Sequence, residues 1–429
     1  MMNKQILLAN IDAPGENTLE GYRSRGGYKA LEKALKMEPS AVTEEVKASG
    51  LRGRGGAGFP TGMKWSFVDR KSGKPIYLLC NADESEPGTF KDRLLLEREP
   101  HLLIEGMAIA SYALDCHLSY IYMRGEFGFL ERPIEKALDE AYAAGILGPS
   151  ILGKDFALDL YLHLGQGAYI CGEETSLIES LEGYRGYPRI KPPFPAVSGF
   201  LASPTVVNNV ETLCALPWII ENGAAAYSSI GTEKSKGTKL FSVSGHINKP
   251  GVYEVNLGYP LMDFINNECG GVSNGRKLKA VIPGGSSVPV LKAEECEGVL
   301  LDYESLLKAG SMLGSGGMIV LDDTVRMPEV LSVIADFYAH ESCGQCTPCR
   351  EGTGWASKIL RNLVAGKGKR SDIDLLLKVA DMMEGKTICP LADADVMPIR
   401  SFVTKFRSEF EELSPELENS DNAKIHVKR

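Results

Sequence analysis

The sequence predicts an α/β domain on a largely parallel sheet, followed by a small ubiquitin-like (β-grasp) domain and a helical C-terminal domain. Three observations support this order. Short apolar runs of strand type alternate with segments of helical periodicity through the first half of the chain. A stretch rich in Ser, Gly, Thr and Lys follows at 228–238 and is predicted to be a linker, and from Met327 onward the pattern is nearly all helical. We therefore expect domains at 1–235, 236–325 and 326–429.

The composition is that of an ordinary soluble globular protein. The chain has 429 residues, of which 44% are hydrophobic and 24% charged. A formal net charge of −9 argues against binding to nucleic acid or to an anionic lipid surface, because both need basic patches. No apolar run reaches the length of a membrane span, and the apolar stretch near the start is too short for a signal peptide. We expect a cytoplasmic location, with any membrane contact made through partners.

The first domain is predicted to alternate strands and helices. Strands are expected at 76–80, 119–123 and 158–164, and helices at 28–49, 93–116 and 133–144. In a parallel sheet of this kind, ligands bind at the carboxyl ends of the strands. The residues that follow each strand are therefore the first candidates for a site.

The second domain is predicted from a hairpin and one further strand. Strands at 239–245 and 252–255 flank a Lys-Pro-Gly turn, a short helix follows from Pro260, and another strand is expected at 278–282. The loop Pro283–Ser287 could cradle an anion through its backbone amides, but an ordinary turn is favoured. We therefore assign this loop no chemistry.

Four cysteines predict a metal centre in the helical domain. Cys343, Cys346 and Cys349 are spaced by two residues, and Cys389, which a proline follows, lies 40 residues beyond Cys349. A triplet on one tight loop with a distant Cys-Pro is typical of a cubane iron–sulfur cluster. The alternative is a four-cysteine zinc site, although zinc ribbons usually bring two separate Cys-x2-Cys pairs. The pattern favours the iron–sulfur cluster and hence electron transfer.

A glycine-dense loop predicts a phosphate site. Residues 50–62 contain six glycines within thirteen positions, and Arg52, Arg54 and Lys64 add positive charge nearby. Glycine lets backbone N–H groups close on a phosphate and permits positive φ, so a nucleotide or flavin phosphate is the expected ligand. The loop is neither a Walker A sequence nor a G-x-G-x-x-G fingerprint. A flexible loop without a ligand is the alternative.

Acidic residues follow two of the predicted strands. The first strand leads into 81–93, which carries three carboxylates in four residues at Asp83, Glu84 and Glu86. The third strand leads into Glu173 and Glu174. Each group has a simpler interpretation, as a solvated loop or as acids that stabilise a helix N-terminus. Their position after parallel strands favours one shared site.

Two further segments could contact a planar ligand. The stiff stretch 191–195 could hold Phe194 against an aromatic ring, although surface packing is the alternative. Amide side chains at Asn208 and Asn209 add hydrogen-bonding groups.

Taken together, these segments resemble the NADH-binding flavoprotein subunit of respiratory complex I. The resemblance covers almost the whole chain and includes the glycine loop, 81–93, the Cys-Gly-Glu-Glu-Thr stretch 171–175, Asn208-Asn209 and the cysteine loop. Relatives of this family occur in NAD-linked hydrogenases and formate dehydrogenases. The resemblance implies an FMN-binding Rossmann-like α/β domain, one [4Fe-4S] cluster and an NADH pocket over the flavin.

The resemblance also implies roles for individual residues. The expected FMN set is Gly53, Arg54, Gly55, Gly56, Lys64, Asn81, Asp83, Gly172, Glu173, Asn208, Asn209 and Thr212. The expected NADH set is Phe59, Lys64, Phe67, Glu86, Glu174, Lys191 and Phe194. Phe67 and Phe194 would stack on adenine, and Glu86 would lie near the nicotinamide and its ribose. Glu86 and Glu174 are the candidate catalytic residues, and Cys343, Cys346, Cys349 and Cys389 are the expected cluster ligands.

The implied reaction is hydride transfer from nicotinamide C4 to flavin N5, followed by single-electron transfer to the cluster and ultimately to quinone. The implied partners are a thioredoxin-like [2Fe-2S] subunit and further peripheral-arm iron–sulfur subunits. The complex would lie peripheral to the inner membrane. One alternative is the diaphorase subunit of an NAD-linked hydrogenase or formate dehydrogenase, which often carries extra thioredoxin-like or ferredoxin-like modules. The other is a non-enzymatic scaffold with a zinc site.

Overall fold

The computed structural model describes residues 4–15 and 17–414. The chain divides into two compact units, Met1–Asp323 and Thr324–Arg429. The first unit contains the α/β domain and the ubiquitin-like domain, and the described part of the second unit is helical. None of the helices in the described ranges combines the length and the apolar character that crossing a bilayer requires.

A parallel sheet lies at the centre of the α/β domain. Its strands are β1 (Tyr77–Ala82), β2 (Leu118–Met123), β3 (Asp159–Leu164) and β4 (Thr205–Asn209), in the spatial order β3-β2-β1-β4. The three predicted strands are confirmed as β1 to β3. Strand β4 was not predicted, because it is short and ends in two asparagines, a residue type that is depleted in strands.

The helices of this domain differ from the predicted ones mainly where prolines occur. They are α1 (Leu19–Ser24), α2 (Lys29–Ala34), α3 (Pro39–Ala48), α4 (Thr61–Ser66), α5 (Lys91–Arg98), α6 (Pro100–Leu114), α7 (Glu131–Ala143), α8 (Glu174–Leu181), α9 (Pro195–Ser198), α10 (Val210–Asn222) and α11 (Ala224–Ser228). The single helices predicted at 28–49 and 93–116 are wrong, because Pro39 and Pro100 each begin a new helix. A residue before proline is driven out of the helical region, and Glu38 is extended at ψ 143°.

The core of this domain is built on α6 and α10. All but one of the fifteen residues of α6 are buried. A Cβ built at Gly106 would lie only 2.1 Å from the backbone oxygen of Leu213 in α10, so the two helices approach closely at this glycine. This helix pair packs against β1 and β4 and thereby fixes the ends of the strands that carry the predicted site.

The second domain has a five-stranded mixed sheet, which confirms the ubiquitin-like fold. Its strands are β5 (Thr238–Gly245), β6 (Gly251–Asn256), β7 (Leu278–Ile282), β8 (Leu291–Lys292) and β9 (Gly317–Asp322), in the order β6-β5-β9-β7-β8. Its helices are α12 (Leu261–Asp263), which continues as a π-helical turn, and α13 (Tyr303–Lys308). The central strand β9 pairs parallel with β5 and antiparallel with β7. The sequence analysis predicts neither β8 nor β9.

The stretch predicted as a linker at 228–238 is packed rather than free. Ser235 is fully buried, and its hydroxyl donates a hydrogen bond to Glu304 in α13 at 2.6 Å. The backbone N–H of Leu257 donates to the oxygen of Gly237 at 3.1 Å. The two domains of the first unit are therefore joined by a fixed turn.

The second unit confirms the helical prediction within its described residues. Its helices are α14 (Met327–Glu341), α15 (Thr347–Val364), α16 (Arg370–Met383), α17 (Leu391–Lys405) and α18 (Arg407–Glu412). Cys343 and Cys346 lie between α14 and α15, and Cys349 lies in the first turn of α15. Cys389 lies in the turn between α16 and α17.

Candidate cofactor and nucleotide site

The predicted site residues of the first unit gather at the carboxyl ends of β1 and β4. The strand order reverses between these two neighbours, and in open parallel sheets a ligand crevice forms at such a point. Asn81 lies near the end of β1 and Asp83 directly follows this strand, while Asn208 and Asn209 end β4.

The glycine loop is closed by its own backbone and leaves open space at one glycine. The N–H of Gly53 donates to the oxygen of Phe59 at 2.8 Å. The N–H of Arg54 donates to the hydroxyl of Thr212 at 2.8 Å, which ties the loop to the start of α10. Gly56 has φ +143°, and a Cβ built there meets nothing within 4 Å. This empty volume beside exposed backbone suits a phosphate or a flavin edge.

The side chains of the two arginines in this loop have partners within the protein. Arg52 pairs with Glu304 at 2.7 Å and lies over the ring of Tyr303 at 3.8 Å. The guanidinium of Arg54 is buried and donates to the backbone oxygen of Lys236 at 2.7 Å. Their side chains stabilise the loop against the second domain.

Lys64 and Trp65 connect the loop to β4. The Nζ of Lys64 donates to the backbone oxygen of Val207 at 2.9 Å and lies 3.0 Å from a carboxylate oxygen of Glu174. The indole N–H of Trp65 donates to the side-chain oxygen of Asn208 at 2.9 Å. Asn208 is thereby oriented, with its amide NH₂ group directed away from the indole.

Asn81 joins the end of β1 to the segment that follows β3. Its side-chain NH₂ donates to the backbone oxygen of Gly172 at 2.8 Å, and its side-chain oxygen accepts from the N–H of Asp83 at 3.0 Å. A Cβ at Gly172 would lie 3.4 Å from a carboxylate oxygen of Asp83. The structure thus brings these three predicted residues together.

Glu173 and Glu174 have different surroundings. Glu173 caps α8, since its carboxylate accepts from the backbone N–H groups of Thr175 at 2.8 Å and Ser176 at 3.0 Å. Lys191 bridges the two acids, with its Nζ 2.8 Å from Glu173 and 2.9 Å from Glu174. Burial would raise the pKa of Glu174, but Lys64 and Lys191 together hold it below its ordinary value. Glu174 is therefore ionised near neutral pH.

Three aromatic side chains of the expected NADH set have open faces. Phe59, Phe67 and Phe194 are 46%, 56% and 57% exposed, which is unusual for phenylalanine. The rings of Phe59 and Phe67 lie 6.2 Å apart. The helix that follows Phe194 is tied to the segment after Phe67, because the N–H of Asp69 donates to the oxygen of Ala196 at 3.0 Å. These surfaces can stack on a planar ring.

Glu86 is held by two residues that the sequence analysis does not predict. The hydroxyl of Tyr169 donates to one carboxylate oxygen at 2.7 Å, and the backbone N–H of Ser287 donates to the other at 2.8 Å. Burial raises the pKa of Glu86, against the effect of these hydrogen bonds. The loop Pro283–Ser287, expected to be an ordinary turn, therefore reaches the site from the second domain.

A buried cluster of charges lies beneath Asn209 and was also not predicted. Lys91 lies 2.7 Å from Asp92 and 2.8 Å from Glu211, and Lys239 of the second domain lies 2.7 Å from the same Glu211 oxygen. Asn209 donates to Asp92 at 2.6 Å. The four charged side chains are each at most 4% exposed. They are spread over 149 positions of the chain, so no local pattern indicates them.

In the second unit, the cysteine loop and the Cys-Pro turn are adjacent. The N–H of Ile388 donates to the sulfur of Cys346 at 3.4 Å, and the hydroxyl of Ser342 lies 3.3 Å from the sulfur of Cys349. Burial and the neighbouring Cys343 and Cys346 raise the pKa of Cys349 to about 11. Within the described residues, no three His, Cys, Asp or Glu side chains are grouped closely enough for a single metal ion. The four cysteines remain the predicted ligand set.

The residues present fit both implied cofactors. Open backbone at Gly56, the oriented amides of Asn81 and Asn208 and an ammonium group at Lys64 suit a flavin phosphate and its polar ring edge. The hydrogen bond from Ile388 to the sulfur of Cys346 brings the segment that carries Cys389 to the other three cysteines, which suits a cluster held by all four.

Three segments of the chain match described protein families. Residues 46–218 match the Nuo51 FMN-binding domain, and 239–320 match the SLBB domain. Residues 329–413 match the NADH-ubiquinone oxidoreductase-F iron–sulfur binding region.

Relatives and solved structures agree with these matches. The chain is 51% identical to the second F-type subunit of NADH-quinone oxidoreductase from Rhizobium meliloti, over 95% of this chain and 97% of that protein. It is 50% identical to the F-type subunit of the same enzyme from Rickettsia bellii, over 94% and 97%. An NAD⁺-reducing [NiFe]-hydrogenase in the H₂-reduced state superposes with a TM-score of 0.85 at 36% identity, over 97% of this chain and 68% of that one. The chain therefore belongs to the family of F-type subunits of NADH-quinone oxidoreductase.

Proposed function

We propose that this chain is the electron-input subunit of complex I, which oxidises NADH with FMN and a [4Fe-4S] cluster. The observation that carries this proposal is the meeting of three features at one sheet edge. They are the open glycine loop, the Lys64–Glu174–Lys191 ion cluster and the exposed aromatic rings. Such a crevice offers an anion cradle, fixed charges and flat apolar faces, which a dinucleotide lying on a flavin requires.

The proposed roles follow from these positions. FMN would be held by Gly53, Arg54, Gly55, Gly56, Lys64, Asn81, Asp83, Gly172, Glu173, Asn208, Asn209 and Thr212. NADH would be held by Phe59, Lys64, Phe67, Glu86, Glu174, Lys191 and Phe194. The cluster would be bound by Cys343, Cys346, Cys349 and Cys389.

The protein supplies orientation and electrostatics. FMN, when bound, would supply the redox chemistry that links a two-electron donor to one-electron carriers. Phe67 and Phe194 position the adenine, while Glu86 fixes the ribose beside the nicotinamide. Glu174, held ionised by its two lysines, can accept hydrogen bonds without taking up a proton. The reaction needs no general base, so Glu86 and Glu174 act by alignment.

The proposed partners are a thioredoxin-like [2Fe-2S] subunit and further iron–sulfur subunits of the peripheral arm. The chain would lie in the cytoplasm and would be held at the inner membrane through these partners. The alternative function, as the diaphorase subunit of an NAD⁺-reducing hydrogenase, has weaker support. Identity to that structure is 36%, against 51% to the quinone-linked relative.

Anaerobic addition of NADH to the purified, iron-loaded protein tests the proposal. Flavin bleaching is followed by absorbance, and the cluster by low-temperature electron paramagnetic resonance. Rapid bleaching with the appearance of a reduced-cluster signal is expected. Well-folded protein without flavin and without any response to NADH would contradict the proposal.

A further inference from the structure

The carboxylate of Glu86 is held between the two domains of the first unit. From the α/β domain, Tyr169 donates its hydroxyl to one carboxylate oxygen at 2.7 Å. From the ubiquitin-like domain, the N–H of Ser287 and the hydroxyl of Ser286 donate to the other oxygen at 2.8 and 3.3 Å. The anion that the loop Pro283–Ser287 binds through its backbone is therefore a side chain of this protein.

The loop itself is fixed against the segment that carries Glu86. The N–H of Gly285 donates to the oxygen of Gly317, the first residue of β9, at 2.6 Å. The N–H of Ser286 donates to the oxygen of Pro87 at 3.2 Å. These two hydrogen bonds join the loop to β9 and to the residue that follows Glu86. A displacement of the loop should therefore also displace Glu86.

Gly285 is the point of closest approach. Its φ is +102°, and a Cβ built there would lie 2.6 Å from Cγ and 2.7 Å from Oε1 of Glu86. Real Cβ atoms do not approach other atoms this closely, so any side chain at 285 would displace the carboxylate. Glycine is required here both by the backbone conformation and by the neighbouring acid.

We propose that the loop Pro283–Ser287 positions Glu86 for NADH, so that the ubiquitin-like domain is part of the dinucleotide pocket and Gly285 is a determinant of its affinity. This inference rests on the proposed role of Glu86. A carboxylate oxygen has two lone-pair directions. Ser286 and the N–H of Ser287 donate to one oxygen of Glu86 and take both of its directions, so a ribose hydroxyl would donate to the other oxygen, which the hydroxyl of Tyr169 holds in place.

The test is Gly285→Ala in the FMN- and cluster-loaded chain, with NADH as donor and an artificial one-electron acceptor. The matched control is Gly310→Ala, in the same domain, where φ is +79° and a Cβ meets nothing within 4 Å. We expect KM for NADH to rise about tenfold in Gly285→Ala. Both variants should keep the parental flavin content and cluster signal. The kinetics of Gly310→Ala should also stay at the parental level.

A double-mutant cycle with Glu86→Ala separates positioning from a general structural effect. Alanine at 86 lacks both atoms that a Cβ at 285 would meet, so Gly285→Ala should have no further effect on KM in that background. An increase of equal size in both backgrounds would overturn the inference, as would a parental KM in the single Gly285→Ala variant.

Two controls keep the outcome decisive. If Gly285→Ala loses its flavin, Ser286→Ala is tested in its place. We expect a smaller rise in KM for NADH, and this rise must be absent when Glu86→Ala is also present. A parental KM in Ser286→Ala would overturn the inference. If Glu86→Ala itself leaves KM unchanged, the proposed role of Glu86 fails and the inference fails with it. If Glu86→Ala raises KM and Gly285→Ala does not, only the inference fails.

Discussion

Lys239 and Glu211 form a salt bridge of 2.7 Å between the two domains of the first unit, and both side chains are shielded from solvent. The same Glu211 oxygen also lies 2.8 Å from Lys91. Burial lowers the pKa of Lys239 to about 7, while the two lysines outweigh burial and lower the pKa of Glu211. Glu211 is thus the fixed anion on which the packing of both lysines depends.

Glu211→Gln should reduce the free energy of unfolding by about 3 kcal/mol, because removing one partner leaves buried charge without compensation. It should also weaken FMN retention, since Lys91 and Asp92 orient Asn209. Urea unfolding and flavin content after gel filtration measure the two effects. Glu294→Gln, in an exposed pair with Lys292, is the control and should change stability by less than about 1 kcal/mol. Parental stability in Glu211→Gln would show that the cluster is not needed.

Gly106→Ala should destabilise the α/β domain although alanine favours helices. The added Cβ would lie 2.1 Å from the backbone oxygen of Leu213, and overpacking of this kind costs about 1–3 kcal/mol, more than the helical gain. Thermal unfolding measures the change. Gly128→Ala is the matched control, because a Cβ there meets nothing within 4 Å. Equal melting temperatures for the two variants would contradict the close packing of α6 on α10.

Sequence patterns predicted the elements whose conformation is set by residues close to one another in the chain. The apolar runs of β1 to β3 and the spacing of Cys343, Cys346 and Cys349 are readable over a few positions. By contrast, β9 was not predicted although its run 318–321 is apolar, and its central place in the sheet comes from pairing with β5, some 75 residues away.

The part of the site that sequence reasoning missed is formed by distant contacts. Glu86 and Ser287 are 201 residues apart, and a backbone N–H carries no signal in the sequence. The surroundings of Arg54 were likewise not foreseen, since its guanidinium is buried and donates to the backbone oxygen of Lys236. Burial and direction are properties of the packed chain, and composition does not reveal them.

Cys389→Ser should remove most of the cluster iron and leave the flavin bound. The serine hydroxyl is a poor ligand for a cluster that thiolates hold, and the FMN residues belong to the other compact unit. Iron analysis and flavin absorbance on the same sample measure both. Cys269→Ala, a buried cysteine of the ubiquitin-like domain, is the control and should keep its iron. Joint loss of iron and flavin in Cys389→Ser would contradict the separate placement of the two cofactors.

NADPH should be a poor donor, with kcat/KM at least about tenfold below that for NADH. Its extra phosphate brings negative charge into a pocket where Glu86, Glu173 and Glu174 outnumber Lys64 and Lys191. Steady-state rates with each nucleotide and the same artificial acceptor provide the comparison. Equal rates would mean that these carboxylates do not face the dinucleotide.

Lys191→Met should move the acid limit of NADH oxidation to higher pH. Lys64 and Lys191 hold the pKa of Glu174 below its ordinary value of 4.5, so their stabilisation is present above that value and is lost as pH falls through the lowered pKa. Without Lys191 the pKa of Glu174 rises, and the carboxylate is protonated sooner on acidification.

The measurement is the pH profile of kcat/KM for NADH, between pH 4 and 7, in Lys191→Met and in Lys191→Arg. Arginine keeps the positive charge and should retain most of the parental profile. Lys277→Met, at an exposed lysine of the second domain, controls for the loss of one cation. An acid limit that stays in place in Lys191→Met would show that Glu174 does not govern binding, and its ion pairs would then serve only the packing of α8 against the glycine loop.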